Sequence, residues 1–361
     1  MPRMFDILRN NTADSDTPGA KDKKTQEAGG LEINLSTTAP DVDFIETREP
    51  EDHFLVSRKL ISEVKKHGID NQAKANEIYN DAIQAIKILL EKANSEEDLR
   101  PFRDAIDAIL EDIFNQLVLG ESILDNIYKK NEGEYYLPYH ILNVLILSYA
   151  IGLSVGFNKS RLNHLGWAVM FYDFGMDAFQ KVTGLSRELT SGERYLLKSH
   201  FYKSLKIAER AGSFDKVVFD TIRMHHEREG GEGYPNRIKS GEINLYAKII
   251  GLVDTYESLT NHRPYRKEMS AHQAIKFLLG SLKNSFDPEI MKVFINKMSV
   301  YPIGSIVRLN TYELARVTSV KSGSPLLPVV MLIQDVSGEP FRERTIIDLT
   351  TQDSFFILES I

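Results

Sequence analysis

Apolar residues recur at helical spacing over 61–93 and again over 101–130. The second stretch keeps a 4-3 rhythm through Ile106, Leu110, Ile113, Leu117, Gly120, Leu124 and Ile127. This predicts a helical hairpin or a short coiled-coil seam, with the same chain as partner in a bundle, or a second copy in a homodimer through residues 101–130. From 134 to 300 the pattern is again helical. Thr190 followed by Glu193 reads as a capping box that opens a helix running to Arg210, with Gly212 just past its end. A turn-rich stretch, GGEGYPNRIKSGE, separates a helix ending near His226 from one running from Leu245 to Thr260. After Pro302 the texture changes to short β-like runs, IGSIVRL, ELARVTSV, PVVMLIQD and FFILES, broken by Gly, Ser and Pro.

The expected fold class is therefore mainly α, with four regions. Residues 1–50 mix Asp, Thr, Lys, Gly and Pro with apolar residues too scattered to bury, as in a disordered arm. Residues 51–133 form a helical N-terminal region, 134–300 the main helical domain, and 301–361 a small β-rich tail.

Charge and composition narrow the chemistry. A formal charge of −7 over 361 residues gives no net attraction to nucleic acid or to an anionic membrane surface. The absence of cysteine excludes disulfides, thiolate metal sites and cysteine nucleophiles, so any metal must be held by His, Asp and Glu, a donor set that suits zinc, iron or manganese. The opening MPRMFDILRN is too polar for a signal peptide, and no run of about 18 consecutive apolar residues stands out as a membrane span. A cytoplasmic location is expected.

Six polar groups interrupt runs that should be buried. His140 begins HILNVLILSYAIGL, Asp173 follows LGWAVMF, Asp254 breaks IIGLVDTYESL, His200 lies inside a helical pattern, and His225 and His226 are adjacent at a helix end. A lone helical histidine is ordinarily a core imidazole bonded to a carbonyl. Six such groups on five apolar helices are different, because burying them unpaired costs several kcal/mol, whereas a divalent cation satisfies them together. Helical bundles build metal sites in this way, from inward side chains on facing helices.

The order His140, then Tyr172-Asp173 in FYDFGM, then His200, then HHEREGGEGYP, then Asp254 in VDTYESLTNHRPYR resembles the HD-GYP family, a branch of the HD-domain phosphohydrolases. The likeness covers about 134–298. It implies an HD-type helical bundle, a centre of two or three metals, and hydrolysis of cyclic di-GMP. Carried over by motif, Asp173, His200, His225 and His226 would hold one metal. His140, Asp173 and Asp254 would contribute to a second, while Gly233, Tyr234, Pro235, Arg263 and Arg266 would face the substrate.

The chain departs from that pattern on the chemistry. Tyr172 stands where the family has the histidine of its HD pair, and a neutral phenol with a pKa near 10 is a poor ligand at pH 7 unless a metal deprotonates it. His164, two helical turns earlier, is too far to replace it. Met176 stands for a lysine, Gly230 for an aspartate, and Tyr136 for the glutamate of three-metal members. The resemblance then implies one divalent metal held firmly, a second position weak or empty, and hydrolysis that is slow or absent. The chain would bind cyclic di-GMP, or a protein partner such as a GGDEF-type cyclase. The alternative is an active metal-dependent cyclic di-GMP phosphodiesterase.

Overall fold

The computed structural model describes residues 70–119, 122–128, 135–301, 304–321, 324–341, 343–352 and 354–361. The expected arm at 1–50 and the start of the first helical stretch lie outside them. The helices are α1 (Asp70–Asn94), α2 (Arg103–Leu119), α3 (Leu137–Ser154), α4 (Lys159–Tyr172), α5 (Gln180–Thr183), α6 (Ser191–Leu197), α7 (His200–Ala211), α8 (Lys216–Met224), α9 (Leu245–Thr260), α10 (Ala271–Gly280) and α11 (Pro288–Met298). The strands are β1 (Ile306–Leu309), β2 (Leu314–Ser319), β3 (Val329–Gln334), β4 (Ile346–Asp348) and β5 (Ile357–Ser360).

Helix α3 is apolar on every face because it is the axis of the bundle, packed against α1, α2, α4, α9 and α11. Length and composition alone would let it cross a membrane, yet 83% of it is buried inside the fold. The rhythm of the second helical stretch serves the same bundle: Ile106, Leu110, Ile113, Leu117 and Ile127 are all buried within the chain, and Leu124 is half-buried. Gly120 lies outside the described residues. The expected continuous helix over 101–130 ends at Leu119, and Ser122–Tyr128 forms tighter 3-10 turns.

Local capping sets several boundaries. Asn158 accepts from the Arg161 N–H to start α4, Asn244 does the same for α9 from Ala247, and Asp287 caps α11 ahead of Pro288. The Thr190–Glu193 capping box forms as expected. Its helix does not run on to Arg210, because the chain breaks at Lys198 and Ser199 and restarts at His200. Among the described residues the strands form one antiparallel sheet of order β4-β3-β2-β1-β5. Alternation buries one face, with Val307 opposite Ala315, Val317 opposite Val330, and Val330 opposite Ile347. Strand β4, three residues long, is too short to show as a pattern in the sequence.

Candidate metal centre

The break before α7 has a chemical consequence. It leaves the Leu197 carbonyl free of a helical partner, and the Nδ1–H of His200 donates to it at 2.7 Å. At the end of α8 the Nδ1–H of His225 donates to the Ile222 carbonyl at the same distance. A carbonyl can only accept, so each ring carries its hydrogen on Nδ1 and turns the lone pair of Nε2 inward. His200 Nε2 lies 3.3 Å from His225 Nε2 and 3.2 Å from His226 Nε2. Three such nitrogens facing one another repel unless a proton or a cation sits between them.

Asp173, at the C-terminal end of α4, completes this group and begins another. Its Oδ1 lies 3.1 Å from His200 Nε2 and 3.9 Å from His225 Nε2, while its Oδ2 lies 3.3 Å from His140 Nε2 on the other side. Asp254, on α9, places Oδ1 3.0 Å from that same His140 nitrogen. Among the described residues the donor atoms therefore converge in two sets, Asp173 with His200, His225 and His226, and His140 with Asp173 and Asp254, each within 4.8 Å. All six residues singled out in the sequence meet here. Bonds of 2.0–2.2 Å to one ion put adjacent ligand atoms about 3.0 Å apart in an octahedron, or about 3.4 Å in a tetrahedron. The spacings of 3.0 to 3.3 Å match and that of His225 from Asp173 is wider at 3.9 Å, so the residues present fit two metals with Asp173 between them.

Charge in the site is uneven. Burial lowers His225 to about 4, reinforced by His200, and it carries His226 well below the usual imidazole value. Burial works the same way on His200 and His140, but Asp173 raises the first, and Glu257 lifts the second well above the ordinary range. Asp173 is pushed up by burial, yet His200 and His140 hold it well below the usual carboxylate range.

Around these ligands stands a shell that sequence reasoning missed. Glu257, also on α9, accepts a hydrogen bond from His140 Nδ1, and its other oxygen accepts from Asn143 at 3.1 Å. Tyr79 on α1 donates to Asn143 in turn, at 2.9 Å. Arg263 was expected to face substrate phosphate, but its Nη2 donates to Glu257 at 3.0 Å and its guanidinium lies 4.0 Å from the centre of the Tyr136 ring. A buried carboxylate requires positive charge, and Arg263 supplies it together with His140. Arg266 donates to the carbonyls of Ser258, Leu259 and Lys267. The signal for Glu257 was its place three residues after Asp254, on the same helix face.

Tyr172 is fully buried at the end of α4, its hydroxyl 2.7 Å from His140 Nε2 and donating to Asp254 Oδ1 at 3.2 Å. Burial, then Asp254, Asp173 and Glu257, raise it well above an ordinary phenol. His164 pairs with Asp215 at 2.7 Å, away from the centre. The half-buried Met176 is tied to the turn after Asp173 by its N–H, which donates to the Asp173 carbonyl at 2.8 Å.

The GYP turn forms a wall beside this centre. Tyr234 stacks on His226 with ring centres 4.5 Å apart, and Lys198 Nζ lies over the Tyr234 ring at 4.7 Å. Glu227 Oε1 accepts from the N–H groups of Asn236 and Arg237 and so pins the turn beyond Pro235. Gly233 is required, since a Cβ there would sit 2.5 Å from the His226 carbonyl oxygen and the Glu227 Cα. Gly230 is exposed, and Gly231 adopts a positive φ of 82°.

Residues 129–290 match the HD domain family, and residues 306–361, the whole sheet, match the KOW domain associated with HD domain. A Pseudomonas aeruginosa protein named cyclic di-GMP phosphodiesterase PA4108 is 24% identical over 242 residues, 67% of this chain and 58% of its own length. The cyclic di-GMP phosphodiesterase PdeB of Borreliella burgdorferi is 27% identical over 195 residues, 54% of this chain and 51% of its own. The chain thus spans between half and three-fifths of these relatives. Among solved structures, Bd1817, a HDG"Y"P protein from Bdellovibrio bacteriovorus, superposes with a TM-score of 0.51 at 16% identity, over 66% of this chain and 76% of that one. That likeness concerns the fold alone.

Proposed function

The chain belongs to the HD-GYP family of HD-domain proteins, and on that premise we propose that it is a metal-dependent phosphodiesterase acting on cyclic di-GMP. The observation that carries this reading is the carboxylate of Asp173, whose two oxygens face two separate sets of donors. Divalent ions held there supply Lewis-acid polarisation of a phosphodiester and water of lowered pKa.

The chain's own residues do the rest. Asp173 fixes the separation of the two positions. Glu257 holds the hydrogen of His140 on Nδ1, so that Nε2 faces inward, and the Leu197 and Ile222 carbonyls do the same for His200 and His225. The half-buried His226 and Asp254 mark the side from which substrate enters. Gly233, Tyr234 and Pro235 wall that side, and the Tyr234 ring, in contact with His226 and Lys198, offers an aromatic edge to a guanine base. Water attacks phosphorus, the P–O bond to one ribose breaks, the alcohol leaves with a proton, and the ring opens to a linear dinucleotide.

A second reading is favoured by Met176, which stands where the family motif has lysine: a receptor that holds cyclic di-GMP and turns it over slowly or not at all. Binding and turnover of cyclic di-GMP by protein loaded with iron, manganese or zinc separate the two. Turnover abolished by a chelator supports the phosphodiesterase. Tight binding without turnover under all three metals supports the receptor.

A further inference from the structure

The second donor set contains an atom that an inventory of His, Asp and Glu omits. Tyr172 Oη lies 2.7 Å from His140 Nε2 and 3.2 Å from Asp254 Oδ1. His140 Nε2 is in turn 3.0 Å from Asp254 Oδ1 and 3.3 Å from Asp173 Oδ2. These are the spacings of neighbouring ligands around one ion, about 3.0 Å for an octahedron with bonds near 2.1 Å. The phenol oxygen stands to His140 and Asp254 at spacings like the one between those two donors.

We propose that Tyr172 is a metal ligand, and that the second position is a His–Asp–Asp–Tyr site bounded by His140, Asp173, Asp254 and Tyr172. This rests on the reading of the centre as a two-metal site and replaces the expectation that the position lacks a donor. The ring is held for the task. Tyr172 has no exposed surface, and it meets His225 edge to face with ring centres 5.0 Å apart. It immediately precedes Asp173, so phenol and bridging carboxylate come from consecutive residues at the end of α4. Ligation replaces the Tyr172–Asp254 hydrogen bond by two bonds to a common cation, and the phenolic proton leaves to water. A phenolate is a hard oxygen donor, so the position favours iron in its ferric state over softer-ligand metals.

The test is spectroscopic. Protein reconstituted with iron and oxidised in air should show a phenolate-to-iron charge-transfer band in the visible, which histidine and carboxylate ligands do not produce. Zinc-loaded protein should lack the band. Tyr172→Phe should lose the band and about half of its iron, whereas Tyr172→His should lose the band and keep both irons. Tyr234→Phe, the control for the other tyrosine beside the centre, should retain it. Wild-type protein with two ferric ions per chain and no visible band would overturn the proposal, as would a band that survives in Tyr172→Phe. Turnover of cyclic di-GMP is measured on the same samples. A band without turnover keeps Tyr172 as a ligand and refutes the hydrolytic reading, so the two failures are distinct.

Discussion

Glu257 and His140 share one buried hydrogen bond, each side chain 2% exposed, and through it a carboxylate that belongs to neither donor set, three residues beyond Asp254, sets the direction of a ligand. Glu257→Gln keeps the shape and removes the charge. Loss of such an outer partner typically weakens metal affinity about 10–100-fold, and an Arg263 left without its carboxylate costs about 3–5 kcal/mol of stability. Metal titration and urea unfolding of the variant should show both effects, with the second metal lost first. Unchanged metal affinity would mean that His140 is oriented by something else.

Gly175 lies against the start of α7, where a Cβ would stand 2.1 Å from the His200 carbonyl oxygen and 2.8 Å from the Ser204 nitrogen. Both are backbone atoms, so Gly175→Ala must displace the helix that carries His200. Overpacking of this kind costs about 1–3 kcal/mol. The expected result is a lower melting temperature together with loss of metal from the position held by His200, His225 and His226. Full metal content at unchanged stability would show that α7 can slide without consequence.

Much of this centre was legible in the sequence, for one physical reason. His140, Asp173 and Asp254 each interrupt an apolar run, and a charge in a buried run requires a partner. The break before His200 was not legible: YLLKSHFYK contains neither Gly nor Pro, and at the break side chains bond carbonyls three residues back, His200 to that of Leu197 and Ser199 Oγ to that of Leu196. Arg263 read as a phosphate-facing group because the motif resemblance carried that role to it, whereas its guanidinium turns back onto Glu257, six residues earlier. Residues 101–130 carried the rhythm of a coiled-coil seam, and the structure buries that seam inside the chain's own bundle.

The metal-free protein should have a bell-shaped stability profile. His225 has a folded pKa of about 4, below the usual 6.5, and His226 is lowered too, so protonation of the unfolded chain destabilises the fold as pH drops from 6.5 toward 4. His140 and His200 are raised, so their contribution is complete below 6.5 and is lost as pH climbs through their folded values. Glu257, lowered to about 2, adds an acid limb between about 4.5 and 2. Melting temperature against pH, after chelation, should peak near 6.5. Saturating metal should flatten the alkaline side, because the cation replaces the protons on His140 and His200. An alkaline limb of the same depth with metal present would show that the ions bind elsewhere.

Met176 follows Asp173 by one turn, close enough for a longer cationic side chain to reach a phosphate held at the centre. If it acts as a charge clamp worth about 2–4 kcal/mol, Met176→Lys should raise turnover of cyclic di-GMP roughly 30- to 1000-fold with little change in metal content. A rate within threefold of wild type would place the substrate phosphate on the far side of the metals.

The central claim is that one carboxylate, Asp173, joins two metal positions into a single hydrolytic centre. The most direct measurement is metal content and cyclic di-GMP turnover, on the same samples, of wild type and Asp173→Asn after reconstitution with iron or manganese. The account predicts two metals per chain and chelator-sensitive turnover in the wild type, with both metals and turnover lost together in Asp173→Asn. Two metals retained in Asp173→Asn, or turnover that survives their removal, would contradict it.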